Sequence, residues 1–150
     1  NRDNVYKDVN YNESDYRKRV DLLESLLEKD KICKLAVFDM EDAEKNAYKA
    51  LEKYNENLLV CLSGHNWVDL MNPGVNKGEA IKILQENYNI SYDETMAFGD
   101  YLNDFEMMKN CKYSYAMENA HPKLKEVCNY RAKSNDEDGV VEAIKEYFQL

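Results

Sequence analysis

The stretch M-A-F-G-D-Y-L-N-D, residues 96–104, joins a short apolar run to a cluster of oxygen-bearing side chains. The apolar run predicts a buried strand, and Gly99 lets the backbone turn sharply where that strand ends. Asp100 follows directly, with Asn103 and Asp104 shortly after it. If the strand belongs to a parallel sheet, these side chains lie where ligands of such sheets bind, beyond the carboxyl ends of the strands.

The segments around this stretch alternate between helix and strand with short connections. Helices are predicted over residues 77–88, 104–110, 122–128 and 137–148, and strands over 95–98 and 113–117. Such alternation implies right-handed crossovers. The predicted fold class is therefore α/β, a Rossmann-like parallel sheet with helices on both faces.

The residues before Gly74 follow a different pattern. They predict helices over 14–30 and 41–54, and strands over 32–38, 58–63 and 67–71. The last two strands are separated by Gly64-His65-Asn66, which has the composition of a turn. We therefore expect a small α+β domain over residues 1–72 that ends in a hairpin, followed by the parallel-sheet domain over residues 73–150.

The composition excludes several classes of function. The 150-residue chain has 29 acidic and 20 basic side chains, for a net charge of −9. Because such a surface repels a phosphate backbone, and the largest basic cluster is only Arg17-Lys18-Arg19, we expect no nucleic-acid partner. No apolar run approaches the roughly 20 residues that cross a bilayer, so we expect no membrane partner. The four cysteines form no C-x-x-C pair, which argues against zinc and disulfide frameworks and is typical of a reducing, cytoplasmic location.

Asp100, Asn103 and Asp104 have the chemistry of a magnesium site. A hard cation such as Mg²⁺ takes oxygen ligands, usually one or two carboxylates with waters and phosphate oxygens. The alternative is that these side chains only cap the following helix.

A second signal is the run N-P-G-V-N-K-G, residues 72–78, which places Lys77 at the start of a helix. A cation at that position opposes the helix dipole unless an anion lies nearby. The alternative is a solvated lysine in a loop. Joined to the Asp100 cluster, Lys77 predicts a site for a phosphate group, and a small phosphorylated metabolite is the expected partner.

Four ordered motifs resemble the C-terminal half of the Cof-type phosphatases of the haloacid dehalogenase (HAD) superfamily. They are N-P-G-V-N-K-G (72–78), G-D-Y-L-N-D-F-E-M (99–107), A-M-E-N-A-H-P (116–122) and S-N-D-E-D-G-V (134–140). The resemblance implies an incomplete HAD-like core over residues 73–150, preceded by part or all of a cap domain. It also implies Mg²⁺-dependent hydrolysis of phosphate monoesters, expected to be sugar phosphates, through an aspartyl-phosphate.

The same resemblance assigns roles to the site residues. It implies that Lys77 binds the transferring phosphoryl group and that Asp100 is a Mg²⁺ ligand. Asn103 would contact the substrate phosphate, and Asp104 would support the metal site as an orienting carboxylate.

The run S-G-H-N-W-V-D-L, residues 63–70, resembles the last hairpin of the cap in this group. Because the cap largely sets specificity in the family, His65 and Trp67 are candidates to contact the leaving group. The alternative is that Trp67 packs within the cap and that His65 is an exposed turn residue.

The nucleophile motif of the family, D-x-D-G followed by Thr or Val after a buried strand, has no counterpart in a suitable position. D-E-D-G-V at 136–140 fits by letter, but residues 130–135 are expected not to form a buried strand. Its acidic residues are instead expected to stabilise the start of the last helix.

Ser63-Gly64 is similar to the second motif of the family, in which an apolar strand is followed by Ser or Thr and then Gly. The residues between it and Lys77 already contain a strand, which favours a hairpin over a crossover. Asp39 is expected to be a helix N-cap.

We therefore expect this chain to be the second half of a phosphatase, without the nucleophile and inactive on its own. A non-catalytic protein that binds a phosphorylated ligand or a partner, on a degenerate HAD fold, remains an alternative. A phosphomutase of the same superfamily is a second alternative.

Overall fold

The computed structural model describes residues 32–150, in which two three-stranded sheets form. The helix predicted over 14–30 lies outside the described residues. The first sheet has the order β1-β3-β2 and the second the order β4-β5-β6. The strands are β1 (Lys34–Phe38), β2 (Leu59–Gly64), β3 (Trp67–Met71), β4 (Met96–Gly99), β5 (Tyr113–Met117) and β6 (Tyr130–Ala132). The predicted domain boundary after residue 72 falls between the two sheets and stays a proposal.

The first sheet is antiparallel, and β2 and β3 form the predicted hairpin. Its apolar face is closed by a turn segment and by the short helix α1 (Ala47–Leu51). The buried side chains on this side are Val60, Leu62, Val68 and Leu70, together with Ala43 from the turn segment. Burial of these side chains is the main driving force for this half of the structure.

The helix predicted over 41–54 is shorter in the structure. Residues 43–46 form turns, and α1 continues into a 3₁₀ helix at Glu52–Glu56. The Asp39 carboxylate accepts hydrogen bonds from the backbone N–H groups of Glu41 and Asp42. Because a side chain satisfies these donors locally, the first predicted turn of helix is replaced by a side-chain-stabilised loop.

The second sheet is parallel throughout, which confirms the predicted α/β class. Helices cover both of its faces: α3 packs against Gly99 through Met108, and α5 packs against Tyr113 on the opposite face through Tyr147. The helices of this half are α2 (Lys77–Tyr88), α3 (Phe105–Lys109), α4 (Pro122–Val127) and α5 (Gly139–Phe148).

The strand β6 is not among the predicted strands, because residues 130–135 are predicted not to form a buried strand. Only Ala132 of its three residues is buried, which agrees with the prediction that this segment is not a buried strand. Asn129 brings the segment beside β5: its backbone N–H donates to Ser114 Oγ (3.1 Å), and its side-chain amide donates to the Lys112 carbonyl (2.8 Å). Hydrogen bonds to residues 15 and 17 positions earlier thus help to hold this exposed segment as an edge strand of the sheet.

The described residues contain no helix with the length and apolar character needed to cross a membrane.

Candidate active site

The carboxyl ends of β4, β5 and β6 open into one cavity of about 450 Å³. Because the three strands are parallel, these ends meet at the same edge of the sheet. The polar side chains of its lining are Lys77, Asp100, Asp104 and Asn135. The rest of the lining is Gly99 and apolar side chains, including Phe98 and Met117.

Lys77 reaches this cavity because α2 packs very closely on α3. The α2 residue Gly78 is buried, and a Cβ added there would lie 2.7 Å from Glu106 Cβ and 2.8 Å from the Glu106 backbone. The start of α2 is stabilised by Asn76, whose side chain accepts a hydrogen bond from the Glu79 N–H (2.9 Å). Close packing and this N-cap together place the first residue of the helix, Lys77, beside Asp104.

Asp104 is 3% exposed and uses both carboxylate oxygens within the chain. Its Oδ1 pairs with Lys77 Nζ, and its Oδ2 accepts hydrogen bonds from the backbone N–H groups of Asp100 (3.1 Å) and Tyr101 (3.5 Å). A buried carboxylate needs such partners, since an unpaired charge away from water is costly. Asp104 therefore connects the lysine to the backbone of the loop that carries Asp100.

Asp100 differs from Asp104 because it is exposed and borders the cavity. Its backbone is held on two sides: its N–H donates to Asp104, and its carbonyl accepts a hydrogen bond from the His121 N–H (2.8 Å). The structure thus brings Lys77, Asp100 and Asp104 together. Asn103 lies in a half-buried 3₁₀ turn at Leu102–Asp104 and does not line the cavity.

The described residues match a magnesium site only in part. They contain no group of three His, Cys, Asp or Glu side chains placed to hold a metal ion. Asp104 is engaged by Lys77 and by two backbone N–H groups, so it is placed as an orienting group. The exposed Asp100 carboxylate supplies the hard oxygen that Mg²⁺ prefers, and one or two carboxylates with waters and phosphate oxygens form a usual magnesium site.

The loop of residues 100–104, called the site loop, also contacts the half of the structure that contains the first sheet. Tyr101 and Leu102 pack against the apolar cluster of the first sheet. The Tyr101 ring lies edge-on to His121, with centroids 5.4 Å apart, and His121 Nε2 is 3.8 Å from a carboxylate oxygen of Glu44. Burial raises the pKa of Tyr101, and nearby carboxylates including Glu44 raise it further. Tyr101 and Leu102, which separate the polar residues of the sequence motif, therefore anchor its loop by packing.

The two hairpin candidates are placed differently. His65 is exposed at the turn between β2 and β3, and its carbonyl accepts a hydrogen bond from the Ala43 N–H (2.9 Å). Trp67 is half-buried and packs edge-on against Phe38, with ring centroids 4.9 Å apart. His65 is thus an exposed turn residue, and Trp67 packs within the sheet, as the alternative interpretation expects. A contact of either side chain with the leaving group stays a prediction.

Cys61, on β2, is half-buried and lies near the charges of the site. Burial raises the pKa of its thiol to about 11, with further increases from the negative charges of Asp69 and Asp104 and an opposing effect of Lys77. A raised pKa disfavours the thiolate, which is the reactive form of a cysteine.

Sequence reasoning missed Asn135 and Val140 as residues of the cavity. The motif that contains them is one of the four that carry the family resemblance, but only its acidic residues are assigned a role, at the start of the last helix. The sequence does contain a signal for them, the short polar loop after residue 132. That loop points to the site only if residues 130–132 are recognised as a third parallel strand.

A family model described as haloacid dehalogenase-like hydrolase matches residues 1–144. The 5-amino-6-(5-phospho-D-ribitylamino)uracil phosphatase of Escherichia coli is 37% identical over 97 residues, which are 64% of this chain and 36% of that protein. A phosphatase of Bacillus subtilis named for the same substrate is 32% identical over 111 residues, 73% of this chain and 45% of that protein.

A solved structure is also similar to this chain. A crystallised protein of Streptococcus mutans superposes with a TM-score of 0.71 at 40% identity, covering 79% of this chain and 45% of that one. The chain thus spans less than half the length of each of these proteins.

Proposed function

The chain belongs to the haloacid dehalogenase-like hydrolases, and on that premise we propose that it supplies part of the active site of a Mg²⁺-dependent phosphatase acting on phosphate monoesters. The observation that carries the proposal is the pairing of Lys77 with buried Asp104 beside the exposed carboxylate of Asp100, at the carboxyl end of β4. The relatives named as phosphatases support the same reaction class.

In this mechanism Lys77 binds and orients the phosphoryl group. Its ammonium carries three N–H donors, and the pairing with Asp104 leaves donors for a ligand in the cavity. A fixed positive charge in this position stabilises the negative charge that develops on the phosphoryl oxygens in the transition state. Asp104 orients Lys77 and holds the Asp100 backbone, so a single buried carboxylate aligns both groups.

Asp100 is the residue that would hold Mg²⁺. Asp104 would orient Asp100 through the hydrogen bond that it accepts from the Asp100 backbone N–H. When bound, Mg²⁺ supplies positive charge next to the phosphoryl oxygens. Asn103, three residues after Asp100, is proposed as a second contact to the substrate phosphate.

The nucleophile is proposed to be an aspartate from a part of the polypeptide outside residues 32–150. Its carboxylate attacks phosphorus, the bond to the alcohol oxygen breaks, and that oxygen takes a proton from water as the alcohol leaves. Water then cleaves the aspartyl-phosphate and releases inorganic phosphate. By this proposal, residues 1–150 alone do not turn over substrate, whereas the complete encoded polypeptide does. The proposed location of the enzyme is the cytoplasm.

The proposed substrate class is the sugar or sugar-alcohol phosphates. Two relatives are named for a substrate that carries its phosphate on a ribityl group, a polyhydroxylated chain. The phosphate itself is the part that Lys77 recognises, so the alcohol is expected to vary more easily than the phosphate.

The test is phosphate release by the complete encoded polypeptide from a panel of sugar phosphates, with Mg²⁺ and with EDTA. We expect activity that EDTA abolishes and Mg²⁺ restores. Lys77→Met and Asp100→Asn should each lower kcat by about 100-fold or more, because each removes a charge that acts on the transition state. Lys82→Met is the matched control, since Lys82 lies on the same helix and pairs with Glu79 (2.8 Å) away from the cavity.

Two results would contradict the proposal. Phosphate binding without any release would favour the non-catalytic binding protein. Transfer of phosphate within a sugar, with a requirement for a bisphosphate activator, would favour the phosphomutase.

A further inference from the structure

The proposed function leaves the loop between β6 and α5 without a role, although this loop reaches the cavity. Asn135 and Val140 both border the same cavity as Lys77 and Asp100. Since β6 runs parallel to β5, with Ala132 opposite Met117, the loop leaves the sheet at the edge where Asp100 lies. The topology therefore adds a third strand end to the site.

The loop is held in one conformation by its own hydrogen bonds. The Ser134 carbonyl accepts from the N–H groups of Glu137 (3.2 Å) and Gly139 (3.1 Å), and Ser134 Oγ donates to Glu137 Oε2 (3.1 Å). Asp138 adopts a left-handed conformation at φ 54°, and a Cβ on Gly139 would collide with the backbone carbonyls of Lys133 and Ser134. The position of Asn135 is thus set by a tightly closed turn.

The chemistry of the lining makes Asn135 the natural partner of an anion. Among the polar side chains that border the cavity in the described part of the chain, Lys77 and Asn135 carry N–H donors, whereas Asp100 and Asp104 offer carboxylate oxygens. Asn135 Nδ2 donates one hydrogen to Asp136 Oδ1 (3.0 Å), which orients the amide and leaves its second hydrogen for a ligand. A neutral donor also adds no repulsion to a phosphate that already faces two carboxylates.

We propose that Asn135 is a ligand-binding residue of this cavity, whose side-chain amide donates a hydrogen bond to a phosphoryl oxygen of the bound phosphate monoester. This inference rests on the proposed function for its ligand class. It assigns to the loop after β6 a part in phosphate recognition, in addition to Lys77.

The experiment measures kcat/KM for several phosphate monoesters and the inhibition constant of inorganic phosphate, in the complete encoded polypeptide. Asn135→Ala should lower kcat/KM by roughly 10- to 100-fold, as expected for a hydrogen bond to a charged group. The loss should be the same for p-nitrophenyl phosphate as for a sugar phosphate, because the contact is to the shared phosphoryl group. Inorganic phosphate should inhibit more weakly by a similar factor. Asn135→Asp, which keeps the shape but adds a negative charge, should lose more than Asn135→Ala.

Asn57→Ala is the control, because Asn57 is an exposed asparagine in the first half of the structure and does not border the cavity. The inference is overturned if Asn135→Ala matches this control while the wild type is active, or if only hydroxylated substrates are affected. It is also overturned if the variant merely lowers Tm without changing phosphate inhibition.

A failure of the proposed function gives a different pattern. If the wild type releases phosphate from no ester, calorimetric titration with inorganic phosphate tests the inference by itself. Weaker phosphate binding by Asn135→Ala would then support the contact while the phosphatase proposal fails.

Discussion

At the scale of single residues, Gly99 determines whether the site can form. A Cβ added to it would lie 2.5 Å from Met108 Cε and 2.8 Å from Asp104 Cβ. Met108 could shift, since a methionine side chain is flexible, but Asp104 is held by Lys77 and by the backbone N–H groups of the site loop. The need for glycine here therefore comes from close packing against Asp104.

We expect Gly99→Ala to destabilise the protein by about 1–3 kcal/mol, the usual cost of overpacking a core, and to lower kcat because Asp104 is displaced. Urea unfolding and phosphate release measure the two effects. Gly64→Ala is the matched control, since the nearest side-chain atom to its added Cβ is Trp67 Cδ1 at 3.4 Å, an ordinary contact. Equal stability of the two variants would show that the Gly99 contact is not restrictive.

At the scale of elements, Asp39 organises the connection between β1 and α1. Its Oδ1 accepts from the N–H groups of Glu41 (2.9 Å) and Asp42 (3.0 Å), and its Oδ2 accepts from the Ala47 N–H at the start of α1 (3.2 Å). The hydrogen bond from Glu41 is the main cause that holds the pKa of this carboxyl below its ordinary value of 3.8. The predicted N-cap at Asp39 is therefore wrong: Asn46 is the residue that precedes α1, and Asp39 reaches the helix start only across a loop.

This lowered pKa predicts a pH-dependent contribution to stability. Because the folded pKa lies below the unfolded one, the contribution is complete above the unfolded value of 3.8 and is lost as pH falls through the folded pKa. We expect Asp39→Asn to cost stability at pH 6 and to cost less at pH 3, as measured by urea unfolding.

The neutral control for this prediction is Asn66→Ala, which removes an amide donating to the Asp39 carbonyl (2.7 Å). Its cost should be similar at both pH values. A penalty for Asp39→Asn that does not change with pH would contradict the assignment.

At the scale of the whole molecule, the described residues leave apolar surface and a sheet edge uncovered. Within residues 32–150, β4 pairs only with β5. The helix α2 exposes Ile83 (56%), Leu84 (49%) and Tyr88 (71%). An open strand edge and clustered exposed apolar side chains both favour association with other chains.

We therefore expect the isolated 150-residue chain to self-associate as its concentration rises, measured by sedimentation velocity. The double variant Ile83→Glu, Leu84→Gln should reduce this association, whereas Glu86→Gln, an exposed position on the same helix, should not. A chain that stays monomeric across the concentration range would show that this surface does not drive assembly.

The sequence by itself determined the local elements and the main chemistry. The predicted range of α2, residues 77–88, is found unchanged, and its start is capped by Asn76. The parallel sheet, the hairpin and the position of Asp100 at a strand end also follow from patterns within a few residues. The roles assigned to Lys77, Asp100, Asn103 and Asp104 remain predictions for the experiments above.

Only the tertiary structure decided which side chains share the cavity. The strand β6 exists because Asn129 bonds to β5, and the shortened helix after β1 exists because Asp39 satisfies its backbone donors. Asn135 enters the site only once β6 is the third parallel strand, and Asp104 becomes an orienting group only once α2 packs on α3. The contacts of Asn129 with Ser114 and of Lys77 with Asp104 join residues far apart in the chain, and their energy depends on burial and geometry that no local pattern records.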